Sequence, residues 1–384
     1  MREREMRRHM VPALAILMLV AACSGAEPSA DEPVAAAVSE APSAATDDSG
    51  CGVSETDGEL RLFNWTEYID PDLIDKFRDE FAVDVIEDFY PNNEDLLARV
   101  EDGGSGYDVI VPSDYMVGIM IEKGLLMPLD LDAIPNAQNI AEEFRNPPFD
   151  PSHRYHMPYQ WGTTGIAINL ETAGTDDPEP TWGWLFDPKL STPFDGRMSL
   201  LDDPRETMGA ALAYLGYSIN STDKAELEEA AELIANTSPR LTAFEAEQFE
   251  DLLVNGDTGV AHGYSGDFFA AFDATDAWED YAYIVPEEGA VKWVDAMAVL
   301  SDAPHPCTAH AFINFILNAR NGAQLTNWVF YASPNEAAEK FIDPEILNDP
   351  AIYPPPDVEE NLEFLQDTGD TETLYTDLFT EAKG

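Results

Sequence analysis

The sequence predicts an α/β fold in which an open sheet with parallel neighbouring strands is packed by helices. Three observations carry that prediction. Short apolar stretches such as "LRLFN" and "VDVIEDFY" alternate with amphipathic helical patterns. No self-similarity at a period of roughly 20 to 50 residues is present, which excludes solenoids. Beyond residue 57 there are about 330 residues, enough for two cored domains on the usual size range.

The elements follow in order. Arg2, Arg4, Arg7 and Arg8 precede the apolar run "VPALAILMLVAA", which is too short to span a bilayer, so residues 1–22 read as an export signal. The stretch "VAAC" resembles the lipobox of bacterial lipoproteins, in which the cysteine, here Cys23, becomes the lipidated first mature residue. An ordinary cleavable signal beside an incidental cysteine fits the same small residues. Residues 23–57 are rich in Ala, Pro, Ser, Asp and Glu, hold no aromatic residue, Lys or Arg, and read as a disordered acidic linker.

Leu60, Leu62 and Phe63 then open a strand that runs into Trp65, Glu67 and Tyr68. Asp70 and Pro71 form the cap and first position of a helix whose apolar face is Leu73, Ile74, Phe77 and Phe81. "VDVIEDFY" is a second strand, "NNEDLLARVEDG" a helix, and "YDVIVPSDYMVGIMIEKGLL" a strand, loop and helix. The same grammar continues from "GTTGIAINLE" through "RMSLLDDPRETMGAALAYLGYS" and "DLLVNGDTGVAHGYSGDFFAAF" to "YAYIVPEEGAVKWVDAMAVL".

The chain holds 20 Lys and Arg against 74 Asp and Glu, a net charge of −54. Such a surface repels nucleic acid and anionic lipid, and a salt-screened, halophile-like exterior accounts for most of the charge. In an oxidising compartment Cys51 and Cys307 could form a disulfide. No CxxC, HExxH, P-loop, GxGxxG after a strand or EF-hand loop is present, so no metal site or cofactor is expected. "GYSGD" is not a GxSxG nucleophile elbow.

Open α/β sheets bind ligands beyond the carboxyl ends of their strands. Trp65 and Tyr68, Ser113 and Tyr115, Asp203 and Glu206, Tyr264 and Asp267, and Trp293 and Asp295 all read as lying at such ends. Each has a plainer reading. "DPRE" places Asp203 and Glu206 as the cap and third residue of a helix, although a capping carboxylate uses one oxygen and can offer the other. Trp65 and Tyr68 could be core under a loop. Trp293 and Asp295, two apart, share one strand face, where a buried acid would need a partner. Asp267 could be one more surface acid, and Glu67 and Asp114 are expected to face solvent.

The stretches "FNWTEYI", "YDVIVPSDYMV", "PPFDPSHRYHMPYQWGTTGIAIN", "LLDDPRETMGAALAYLGYS", "VKWVDAMAV" and "YASPNEAA" resemble, in order, those of the spermidine/putrescine-binding proteins that feed ABC transporters. The resemblance implies a two-lobed periplasmic-binding-protein-like fold of type II with the ligand cleft between lobes. The lobes would be 58–167 plus 295–340 and 168–294 plus 341–384. It further implies Trp65, Tyr68 and Tyr115 as aromatic walls, Ser113 as a hydroxyl contact, Thr66 as a further ligand-binding residue, and Asp203, Glu206 and Asp295 as carboxylates for ammonium groups. Trp293 would pack on the methylene chain, and Gln366 would accept a hydrogen bond near one end. Tyr264 stands where the family commonly has Trp, and Asp267 is more like the putrescine-selective members. The implied protein is a monomeric, non-enzymatic receptor, exported and lipid-anchored at a membrane, whose partners are a polyamine and the permease subunits.

The chemistry is coherent without the resemblance. A polyamine is an apolar rod with spaced cations, so it needs spaced carboxylates with aromatic faces between them. A receptor for another cationic solute, a glycan hydrolase using Asp203 and Glu206, or a passive acidic scaffold would account for parts of the same pattern.

Overall fold

The computed structural model describes residues 50–384. The export signal, Cys23 and the first part of the linker lie outside the described residues. The linker does not extend to Asp57. Cys51 is buried and bonded to Cys307, with an S–S distance of 2.03 Å. The Asp57 carboxylate accepts from the Thr308 and Cys307 amides at 3.0 and 3.3 Å, capping the helix Pro306–Ile316.

Ten strands form one connected sheet: β1 (Leu60–Asn64), β2 (Val85–Phe89), β3 (Val109–Ile110), β4 (Met157–Asn169), β5 (Met198–Leu201), β6 (Ala243–Glu245), β7 (Val260–Tyr264), β8 (Tyr281–Ile284), β9 (Ala290–Val299) and β10 (Leu362–Glu363). Their order is β2-β1-β3-β9-β4-β7-β5-β6, with β8 beside β4 and β10 beside β9. The parallel neighbours expected from the sequence occur within each half, as β2-β1-β3 and β6-β5-β7. The two long strands between them run antiparallel, which no local pattern announces.

These long strands join the halves. β4 pairs with β9 from Met157 to Thr163, then with β7 and β8 from Thr164 onward. β9 pairs with β4 up to Met297 and with β3 at Ala298 and Val299. Every residue of β4 except Asn169 is buried, as a strand covered on both faces must be.

The helices seat as their patterns require. Pro71–Phe81 is capped by Asp70, whose side chain accepts from the Asp72 amide, and it buries Leu73, Ile74 and Phe77. Burying each of these side chains contributes about 1.5–3 kcal/mol. Phe77 meets Phe312 and Phe315 edge-on, tying that helix to Pro306–Ile316. In the other half the C-terminal helix Glu372–Lys383 packs on helices Pro204–Leu215 and Lys224–Thr237. Among the described residues no helix is long and apolar enough to cross a membrane.

Candidate functional site

Loops at the ends of β1, β3, β5 and β7, together with the middle of β9, carry one set of side chains toward the line where the halves meet. β1 stops at Asn64 and Trp65 follows, half-buried, its indole N–H donating to the Val111 carbonyl at 2.8 Å. The Tyr90 hydroxyl donates to the same carbonyl at 2.6 Å, and the two rings lie 4.8 Å apart. With its polar tip engaged there, Trp65 has its ring left for other contacts.

Tyr68 is buried edge-on against Tyr159 and Tyr331, at 5.2 and 5.4 Å. Trp293 is likewise edge-on to Tyr331 at 5.0 Å and to Tyr264 at 6.0 Å. Gly162 lies opposite Trp293 in the β4–β9 register. A Cβ there would come within 2.8 Å of the Trp293 ring and 2.9 Å of the Tyr331 ring, so only glycine lets both rings approach this strand. The Trp293 indole nitrogen is buried without a hydrogen-bond partner. A buried donor left unpaired costs about 1–3 kcal/mol.

The acids stand among these rings. Asp295 is 5 % exposed, and its Oδ1 accepts from the Ser113 hydroxyl at 2.7 Å. Asn93 braces Ser113 through a reciprocal pair of bonds, both 3.1 Å. The Tyr68 hydroxyl is aimed at the Asp295 carboxylate. Burial pushes the Asp295 carboxyl up to about 7, while Ser113 and Tyr68 pull it down. Trp293 and Asp295 occupy the interior of β9 rather than a strand end, because β9 is one of the two connecting strands.

Asp203 caps the helix Pro204–Leu215, its Oδ1 accepting from the Arg205 and Glu206 amides at 2.9 and 3.0 Å. Both bonds go to Oδ1, leaving Oδ2 outside the cap. Glu206 is buried with Oε2 unpartnered, and burial followed by the Asp203 charge raises its carboxyl well above the ordinary range. Arg205, 1 % exposed, lowers both carboxyls by its charge, but its hydrogen bonds go elsewhere. Its Nη1 donates to both Glu372 oxygens, at 2.9 and 2.7 Å, and to the Gln366 carbonyl at 3.1 Å, and its guanidinium lies over Tyr375 at 4.6 Å. It thereby fixes the C-terminal segment against the site.

Several members had no signal in the sequence. Glu94 accepts from the Tyr115 hydroxyl at 3.0 Å, and burial and then Asp203 raise it to about 7. Asp114, expected in solvent, is 2 % exposed because the turn into the helix Asp114–Glu122 points inward, and burial raises it to about 8. Tyr331 is buried, and its hydroxyl accepts from the Asp267 amide at 3.3 Å. Burial raises Asp267 to about 7, with Glu67 and Asp295 adding to the rise. The sequence lay in view at Tyr331 within "YASPNEAA", but acids in so acidic a chain carry no local mark of burial.

Two expected residues lie apart from the buried group. Gln366 is exposed; its backbone carbonyl accepts from Arg205 at 3.1 Å and its amide donates to the Asn220 side chain at 2.9 Å. Thr66 is exposed, and its hydroxyl donates across to Glu247 at 2.8 Å. Among the described residues no group of three or more His, Cys, Asp or Glu could hold a metal ion.

Two α/β halves joined by long connecting strands, with buried acids and aromatic rings at the junction, define a solute-binding protein of the type II periplasmic fold. The chain belongs to the bacterial extracellular solute-binding proteins, whose family model matches residues 73–354. It is 36 % identical over 332 residues to a putrescine/cadaverine-binding protein of Pseudomonas aeruginosa, covering 85 % of this chain and 93 % of that one. It is 32 % identical to the spermidine/putrescine-binding periplasmic protein of Escherichia coli, covering 86 % and 93 %. Among solved structures it resembles the TpPotD lipoprotein of Treponema pallidum, with 33 % identity, a TM-score of 0.73 and coverage of 84 % and 99 %.

Proposed function

We propose that this chain is an exported receptor that captures a polyamine, putrescine or spermidine, between its two halves and delivers it to the permease of an ABC transporter. The observation that carries this reading is the set of buried carboxylates Asp203, Glu206, Asp267 and Asp295, all acting on Tyr264, among the rings Tyr68, Tyr264, Trp293 and Tyr331. Among the described residues the one buried Lys or Arg, Arg205, is already engaged by Glu372. An elongated polycation would pair the acids and lay its methylenes on the rings. Cation–π contact adds about 0.5–2 kcal/mol per well-placed ring, and ammonium–carboxylate bonds are about twice as strong as neutral ones.

Asp203 and Glu206 sit in one helical turn, where side chains three apart are neighbours. That favours a shared ammonium site over a hydrolytic pair flanking a sugar bond. The residues proposed for ligand contact are Trp65, Tyr68, Ser113, Tyr115, Asp203, Glu206, Tyr264, Asp267, Trp293 and Asp295, to which Tyr331 is added, with the exposed Thr66 and Gln366 at the edge of this group. The proposed lobes are 58–167 plus 295–340 and 168–294 plus 341–384. Lipid attachment at Cys23 would keep this monomeric receptor at the membrane.

The test is titration calorimetry of the chain lacking residues 1–22 with putrescine and spermidine at low and high salt. One-to-one binding at low-micromolar Kd or tighter, retained in salt, is expected. Weak binding abolished by salt overturns the reading, since it would come from surface charge alone.

A further inference from the structure

Resting on the polyamine reading, we infer that Asn93 is a positioning residue that sets the direction of the Ser113 hydroxyl, so that its one hydrogen is held on Asp295 while that carboxylate receives the ligand's ammonium group. Asn93 is the first residue of the helix Asn93–Val100, but it is not the cap. Asn92 takes that role, its side chain accepting from the Asp95 amide at 2.8 Å. The Asn93 side chain is buried instead against the loop after β3. Ser113 forgoes capping in the same way. It occupies the cap position of the helix Asp114–Glu122, yet its hydroxyl makes no capping bond and is committed to Asp295.

The direction of each bond follows from one group that can only donate. The Ser113 backbone N–H donates to Asn93 at 3.1 Å, so the atom it meets is the side-chain amide oxygen, Oδ1. The amide nitrogen is then the atom 3.1 Å from Ser113 Oγ, and it too can only donate. The hydroxyl therefore accepts from Asn93, and its hydrogen goes to Asp295 Oδ1 at 2.7 Å. A hydrogen held there favours the ionised acid, whereas a lone pair turned there would repel it. The titratable groups that interact with Asp295 are the tyrosines Tyr68, Tyr90, Tyr159 and Tyr264 and the acids Asp114 and Asp267. Of these only the Tyr68 hydroxyl joins Ser113 in drawing the carboxyl down against the effect of burial.

The test is titration calorimetry with putrescine and spermidine on the chain lacking residues 1–22 and on its Asn93→Asp, Asn93→Ala, Ser113→Ala and doubly substituted Asn93→Ala, Ser113→Ala variants. Asn93→Asp keeps the shape and the oxygen that holds the Ser113 amide, but it puts an acceptor where the donor stood, so the hydroxyl hydrogen turns away from Asp295. Affinity is expected to fall at least about fivefold, and the loss to grow from about pH 6 to about pH 9, since a protonated carboxyl at this position can donate as the amide does. A role in charge alone predicts the opposite sign, because an added acid attracts a polycation. Asn93→Ala carries no charge and is expected to cost about two- to fivefold, with most of that loss vanishing in the Ser113→Ala background. This cycle decides alone if Asn93→Asp does not fold. Affinity of Asn93→Asp equal to or above the parent's across the pH range, or losses from Asn93→Ala and Ser113→Ala that simply add, overturn the inference and leave the polyamine reading intact. Failure of the unsubstituted protein to bind either polyamine overturns the reading on which it rests.

Discussion

The Ser113 hydroxyl donates to Asp295 Oδ1 at 2.7 Å, and the same two residues form an isolated antiparallel bridge between the loop after β3 and the connecting strand β9. That contact orients one carboxylate oxygen and leaves the other to a ligand. Asp295→Ala is expected to weaken polyamine binding at least tenfold, the scale of about 1.4 kcal/mol for one charge-assisted contact. Ser113→Ala, which removes only the orienting bond, should cost two- to fivefold. Calorimetric affinity unchanged by Asp295→Ala would remove that residue from the site.

The acids also predict a pH dependence. Glu94, Asp267 and Asp295 are raised to about 7 and Asp114 to about 8, each chiefly by burial. An acid raised on folding binds more protons in the native state than in the unfolded one, so its contribution to stability is present at low pH and is lost as pH rises through the folded value. The empty protein should therefore lose stability between about pH 5 and pH 8, where unfolded carboxyls near 4 are already ionised. Saturating polyamine should flatten that loss. Affinity should rise across the same window as protons are released, which urea titrations and calorimetry in buffers of different ionisation enthalpy would measure. An affinity independent of pH would contradict the assignment.

Much of this arrangement was legible in the sequence because it rests on local chemistry. The Asp70–Pro71 and Asp203–Pro204 helix starts are stated by residue order, and Trp293 and Asp295, two apart, are both buried on one strand. Asp114 and Glu94 were not legible. Their burial comes from the packing of a turn or helix start against the opposite element, while their surroundings in sequence resemble dozens of exposed acids. The antiparallel pairing of β4 with β9 was hidden for a related reason. It joins residues more than a hundred positions apart, beyond the reach of any periodicity.

Arg205 supports the site from behind. Its guanidinium holds Glu372, the Gln366 carbonyl and Asn220, and lies over Tyr375. Arg205→Ala is expected to destabilise the fold by about 3 kcal/mol in urea denaturation, because it leaves a partly buried Glu372 unpaired and opens a gap against Tyr375. Loss of the C-terminal anchor should also lower polyamine affinity. A variant as stable as the parent would show that these bonds contribute little.

The Cys51–Cys307 bond ties the start of the body to the helix Pro306–Ile316, closing a separation of 256 residues. Cross-linking so distant a pair restricts the unfolded chain strongly. Cys307→Ser should cost about 2–5 kcal/mol. The parent treated with reductant should show the same shift in its urea midpoint. Coincident midpoints for parent and variant under non-reducing conditions would mean that the bond constrains only the segment before β1.

Gly162 separates packing from charge as sources of affinity. A Cβ at this position would meet Trp293 Cζ2 at 2.8 Å and Tyr331 Cδ1 at 2.9 Å, closer than real Cβ contacts, so one ring or both must turn. Gly162→Ala leaves Asp203, Glu206, Asp267 and Asp295 in place and disturbs only the faces between them. If the methylene chain lies on those rings, the substitution should lower affinity tenfold or more and leave the salt dependence of binding unchanged, because the charges paired are the same. The overpacking should cost about 1–3 kcal/mol of stability. Calorimetry at two salt concentrations checks both halves of the prediction. Full affinity in a folded Gly162→Ala protein would mean that the carboxylates alone hold the ligand and that Trp293 and Tyr331 serve as core.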